Sequence, residues 1–315
     1  MESIMTNMKK LGLTALAGSL VATSGFAGEL SVSGTAKLTY VSQHESEVTG
    51  NPFSMSQGIG FSGSGDLDNG MTINYGYTMT DAAFSSSTLK LDMGDMGTLS
   101  YSDGAGSTGI SAYDDKMPTA GEEVWDDLDG QANGVATISN KGTLGYAGTF
   151  SGVGVSVSYN PDDANAPATT AESSKSVVFS GEVGGANVFL GMGDKAGATV
   201  NTGTDLTTAG VTYTAGAVTV GFQTTSIDAS AANSDVDRNH VAASFAVNEN
   251  LSVSYGMSTV EFESAAKVDQ EDSGVAVSYT MGSMTLGAFM NKSDDVGGTS
   301  AAEDSVTEVS LAFAF

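Results

Sequence analysis

The chain has 315 residues, and its 37 Asp and Glu against 11 Lys and Arg give a formal charge of −26, which repels nucleic acid and anionic membrane surfaces and attracts cations. It contains no cysteine, which excludes disulfides and thiolate metal sites and leaves the compartment unread from redox chemistry. With 41 Gly, only 4 Pro and abundant Ser, Thr and Val, the composition favours many strands joined by turns, an all-β class, over helices or a disordered chain.

At the start, Lys9 and Lys10 precede a mostly apolar run from Leu11 to Ala22 that ends in TSGFA. Gly25 and Ala27 place small residues where a signal peptidase needs them. The pattern therefore predicts a secretory signal peptide over 1–27 and a single mature domain over 28–315. No later apolar run approaches the ~18–20 residues that a spanning helix requires.

The first mature run puts Leu30, Val32, Ala36, Leu38 and Tyr40 on one face and Ser31, Ser33, Thr35, Lys37 and Thr39 on the other, the period-two signature of a strand with one apolar face. It recurs at 71–79, 88–93, 153–159, 218–223, 240–247, 251–257, 274–281 and 306–315. Weaker runs lie near 54–66, 97–103, 142–150, 175–184, 186–194, 207–215 and 284–292. Sixteen runs of about eighteen residues each, turn included, suit the ~9–11 residues that a membrane-crossing strand needs.

The connections sort by length. Short ones such as DLDNG (66–70), GDMG (94–97), GGA (184–186), AGA (215–217) and NEN (248–250) read as hairpin turns. Long polar ones lie at 42–52, 103–133, 161–174, 195–205, 228–237, 263–272 and 293–304. Short turns on one rim and long loops on the other belong to an up-and-down barrel in an outer membrane rather than to a soluble sandwich. Of the ten tyrosines, all but Tyr113 fall in these runs and share the aliphatic parity, as an aromatic girdle at lipid headgroups would, while Ser, Thr, Gly and Asn are left to line a wet interior.

The export signal, the sixteen alternating runs, the long connection after the fifth run and the final VSLAFAF ending in Phe315 together resemble the general diffusion porins of Gram-negative bacteria, most closely the alphaproteobacterial type. The resemblance spans the mature chain and is one of pattern. It implies a sixteen-stranded antiparallel transmembrane β-barrel whose third loop, here 103–133, folds inward to narrow the pore. It also implies a homotrimer in outer-membrane lipid, a water-filled path for small polar solutes, and a terminal Phe315 that serves as the outer-membrane assembly signature. The family sets loop acids against a cluster of wall arginines, whereas this chain has one arginine, Arg238.

The long connection carries Asp103, Asp114, Asp115, Glu122, Glu123, Asp126, Asp127 and Asp129 against Lys116 alone. Within a pore, such carboxylates concentrate counter-ions, because the Debye length of ~8–10 Å at physiological salt is comparable to a pore radius. Asp114, Asp115, Glu122, Glu123, Asp126 and Asp127 are the expected constriction acids and cations the expected preference. The segment EEVWDDL is expected to form a short helix with Val124, Trp125 and Leu128 on the wall. Strand parity points Lys37, Lys90, Arg238 and, less securely placed, His240 inward as basic wall residues. On the opposite view the loop is a solvated outer flap and its acids are surface charge.

Other motifs carry little. GIGFSG (58–63) matches G-x-G-x-x-G but leads into a turn instead of a helix, so no dinucleotide site follows. DLDNG begins like a calcium loop, yet Tyr77 stands where the distal Glu belongs. His44 and His240 are the only histidines, and no nucleophile triad can be read around them. Acid clusters such as Asp269, Glu271 and Asp272, or Asp294 and Asp295, read as loop charge. Neither catalysis nor a cofactor or metal is expected, and the competing reading is a secreted or surface-attached β-rich interaction protein without channel activity.

Overall fold

A computed structural model describes residues 30–44, 50–104, 108–114, 116–130, 134–135, 142–161, 173–196 and 203–315. The expected signal peptide, 1–27, lies outside the described residues, as does Asp115. Sixteen strands follow in chain order: β1 (Leu30–Gln43), β2 (Phe53–Asp66), β3 (Thr72–Thr80), β4 (Ala83–Asp92), β5 (Thr98–Asp103), β6 (Thr143–Phe150), β7 (Val153–Asn160) and β8 (Ser174–Val183). The second half comprises β9 (Ala186–Lys195), β10 (Thr204–Ala215), β11 (Val218–Ala229), β12 (Val236–Ala246), β13 (Leu251–Phe262), β14 (Gln270–Met281), β15 (Met284–Asp294) and β16 (Glu303–Ala314). Each pairs antiparallel with its sequence neighbours, and β1 pairs with β16, closing the sheet into a barrel with no free edge. The seam ends on Phe315 and Gly34, whose backbone N–H groups each donate to the other's carbonyl at 2.9 and 2.6 Å.

Alternation sets the two faces. Leu38, Tyr40, Met55, Ile59, Leu89, Tyr101, Phe179, Leu190, Phe222, Tyr255 and Met290 are exposed on the outer wall, and their large apolar side chains gain a solvent of matching polarity only in lipid. Adjacent outer residues also pack on one another, as Tyr40 does edge-on against Phe53, its register partner, at 5.2 Å between ring centroids. The inward parity holds Ser156, Ser158, Ser176, Thr208, Gln223, Ser258, Asn291 and Ser293, all buried.

Three features depart from the sequence reading. β4 begins at Ala83 rather than near 88, because FSSS (84–87) masks the alternation and a bulge at Thr78/Met79 shifts the register. The turn that precedes it, Asp81 and Ala82, is a two-residue hairpin on the otherwise long-looped rim, with both residues left-handed at φ 49° and 66°. Strands β10–β14 also run further toward that rim than the periodicity shows. There the outward positions carry Asp205, Asp228, Asp237, Glu261 and Glu271, so the ladder continues after the hydropathy signal has ended.

Candidate functional site: the loop inside the barrel

The connection from β5 to β6 spans 104–142, and its described parts sit against the inward face of the wall. A short 3-10 turn, Gly109–Tyr113, starts the run: the Gly109 N–H donates to Ser156 Oγ at 2.8 Å, the Ile110 N–H to Ser176 Oγ at 2.9 Å, and the Tyr113 hydroxyl to Ser180 Oγ at 3.0 Å. Gln223 then donates from Nε2 to the Tyr113 carbonyl at 3.0 Å, and the Ala120 N–H donates to Ser254 Oγ at 2.8 Å. Further along, Asn291 Nδ2 donates to the carbonyls of Glu123 at 2.8 Å and Asp126 at 3.1 Å, and the Asp129 N–H donates to Asp304 Oδ2 at 2.6 Å. The segment thus bonds in turn to β7, β8, β11, β13, β15 and β16, and satisfies backbone groups that a loop held off the wall would leave to water.

Apolar contacts accompany these bonds, and they add local apolar patches to the expected small, polar interior. Inward-facing Val178 and Leu206 pack with Ile110 and Val135, while Ala276, Phe289 and Val306 form a second cluster against which Ala120 and Leu128 pack. At Gly221 and Gly256 the wall has no side chain. A Cβ there would lie 2.6 Å from Pro118 Cδ and 2.7 Å from Val124 Cγ1, so the loop is seated where the strands provide room. Trp125 meets His240 edge-on at 4.6 Å between ring centroids. Val124, Trp125 and Leu128 therefore pack on the wall as expected, but EEVWDDL forms turns instead of a helix: the Asp126 and Leu128 N–H groups donate to the carbonyls three residues back, and Asp127 is left-handed at φ 58°.

The charged residues separate into three places. Glu122, Glu123 and Asp126 come together, one oxygen of each within 4.8 Å of the others. Lys37 reaches this group from β1, its Nζ 3.5 Å from Glu122 Oε1 and 2.8 Å from Glu308 Oε1 on neighbouring β16. Burial raises the Asp126 carboxyl above the ordinary carboxylate value; hydrogen bonds to Glu123 oppose this, while the charges of Glu122 and Asp127 reinforce it. Asp127 itself is exposed.

Asp114 lies apart from that group. Its Oδ1 accepts the Val135 N–H, and its charge is felt by Arg238, whose Nη1 donates to the Gly134 carbonyl at 3.3 Å. Buried His240 serves as packing for Trp125. Lys90 shares the inward parity but forms no ion pair among the described residues. Of the basic wall residues, then, Lys37 meets loop acids, Arg238 meets loop backbone and Lys90 meets neither. Two wall acids escaped the sequence reading. Glu308, inside VTEVSLAF, breaks an apolar run at an inward position, whereas Asp304, between Glu303 and Ser305, lies at the end of the stretch read as a polar connection.

A closed sixteen-stranded barrel with an apolar outer wall, a polar inner wall and a chain segment bonded across its interior defines a transmembrane β-barrel of the channel-forming class. The family model described as Gram-negative porin matches residues 12–262, and the chain belongs to that family: it is an outer-membrane porin. Among solved structures, an engineered mutant of the Rhodopseudomonas blastica porin is similar at 15% identity and a TM-score of 0.66, over 91% of this chain and 100% of that one. An anion-selective porin from Comamonas acidovorans gives the same four figures. OmpT, an outer membrane protein of Vibrio cholerae, is similar at 13% identity and a TM-score of 0.65, over 93% of this chain and 99% of that one. At such identities these structures share the fold. No curated protein sequence matches the chain.

Proposed function

We propose that the protein is a passive, cation-preferring diffusion channel for small hydrophilic solutes, with the 103–133 loop as its constriction. The observation that carries this reading is the gathering of Glu122, Glu123 and Asp126 on a loop bonded to the inner wall, with Lys37 the one base among the described residues that reaches them and Glu308 already beside that base. A net negative site in a narrow passage raises the local cation concentration and lowers that of anions. Since the Comamonas relative is described as anion-selective on the same fold, preference follows the charges of each chain rather than the barrel. Asp114, paired with the Val135 backbone beside Arg238, holds the loop, and Asp127 extends its negative field. Export by cleavage after Ala27, assembly into a homotrimer and recognition of Phe315 by the assembly machinery complete the proposal. The competing reading, a secreted interaction protein, has no support from the family.

Planar bilayers test it. Channels under a potassium chloride gradient are expected to reverse at a potential of cation sign; a reversal of anion sign would refute the preference, and a folded protein without conductance would refute the channel.

A further inference from the structure

The part of the loop away from Glu122, Glu123 and Asp126 carries a different kind of site. Tyr113 and Phe189 face each other with ring centroids 5.0 Å apart, and Phe189 lies against Gly210, where the absent Cβ leaves it room. Lys116, the one base of the 103–133 stretch, holds its Nζ 5.3 Å over the Tyr113 ring. These residues line a cleft of about 370 Å³ together with Ser180, Glu182 and Asn187, and a second hollow of about 460 Å³ adjoins it through Tyr113, Lys116 and Ser180. Glu182 and Asn187 are register partners at the short-turn ends of β8 and β9, so the cleft opens toward that rim.

Lys116 and Glu182 line the same cleft, yet neither is ion-paired with any described residue. An ammonium and a carboxylate thus border one space beside an aromatic pair. A lone anion would be drawn to Lys116 and repelled by Glu182, a lone cation the reverse, and a neutral sugar would gain no ion pair with either. A zwitterion satisfies both, and an apolar or aromatic side chain on it would cover the ring surface. We infer that this cleft binds a zwitterionic amino acid with an apolar or aromatic side chain, its carboxylate on Lys116 and its ammonium on Glu182. The inference rests on the channel reading, because it makes the cleft a waiting site beside the passage. Occupancy there must be favourable enough to enter and weak enough to leave.

The test is calorimetry on the full chain folded in detergent micelles, with phenylalanine as the probe. Phenylalanine is expected to bind in the range of about 1 mM. Phenethylamine and 3-phenylpropionate, each lacking one charge, are expected to bind at least about tenfold more weakly, and Lys116→Met and Glu182→Gln each to weaken phenylalanine by about the same factor. Retained heat-modifiable migration on gels shows that the variants fold. Undetectable phenylalanine binding, equal binding of glucose, or full affinity in both variants would overturn the inference. Binding in micelles needs no ion flow: a chain that binds phenylalanine but does not conduct overturns the channel alone, and one that conducts but does not bind overturns this site alone.

Discussion

Replacing Glu122 by Gln removes one charge from the acidic group and changes little else, since the side chain is half exposed and its other contact, Lys37, keeps Glu308 at 2.8 Å. One oxygen each of Glu122, Glu123 and Asp126 lies within 4.8 Å of the others, so an ion beside one is about 5 Å from the rest. At that distance a unit charge in water is worth about 0.8 kcal/mol, and a Debye length of about 10 Å at 0.1 M salt trims this to about 0.5. That is roughly a twofold gain for a cation and a twofold loss for an anion, or about fivefold in their ratio. Glu122→Gln is therefore expected to lower the potassium over chloride permeability ratio about fivefold at 0.1 M and less than about twofold at 1 M, where the Debye length is ~3 Å. Reversal potentials of single channels under a fixed tenfold gradient measure it. An unchanged ratio at low salt would show that permeating ions do not pass the loop acids, and a salt-independent change would show that the effect is not electrostatic.

Other expectations follow from the same geometry. Asp126 is raised by burial, so within the window between the ordinary carboxylate value and its own higher one the folded chain binds more protons than the unfolded; stability should fall as pH rises through it, and cation preference should fall as pH drops through it. Asp126→Asn should flatten that step in both thermal unfolding and reversal potential; an identical pH profile would assign it to another group. Gly256→Leu would place side-chain atoms where Val124 sits and expose a residue whose burial is worth about 1.5–3 kcal/mol, so limited proteolysis within 116–130 should speed up while the barrel stays folded. Unaltered cleavage would mean that the seat does not hold the loop. Deleting Phe315 removes both backbone bonds to Gly34 at the seam, and refolding into lipid vesicles, followed by gel migration, should slow; an unchanged rate would place the assembly signal elsewhere.

Much of the barrel was legible because a strand with one face in lipid and one in water writes its period into the sequence. Runs such as 251–257 and 274–281 announced both their existence and their outward residues, and the tyrosines agreed. Legibility failed where alternation stopped carrying information. The rim ends of β12–β14 keep their hydrogen-bond ladder with charged residues on both faces, Asp237 and Arg238 or Glu271 and Asp272, so hydropathy shows no period there. In EEVWDDL the apolar residues were correctly assigned to the wall and the helix was not formed, because the backbone turns left-handed at Asp127 to bring the Asp129 N–H onto Asp304. Serine posed a different problem: it fills the inward parity of many strands, and nothing local distinguishes Ser156, Ser176 and Ser254, which hold the loop, from serines that face only water.

The sequence by itself determined the class of fold, the number of crossings, the face each residue takes and the position of the interrupting loop, because all of these depend on local periodicity and on where it breaks. Only the tertiary structure decided which charges meet. Lys37 and Glu122 lie 85 positions apart, and Glu308 stands near the other end of the chain, yet they converge because closure places β1 beside β16 and the loop returns across the interior to that seam. Lys90 has the same inward parity and forms no ion pair among the described residues. Parity gives a direction, whereas a partner depends on the height and circumference at which the closed barrel sets each strand.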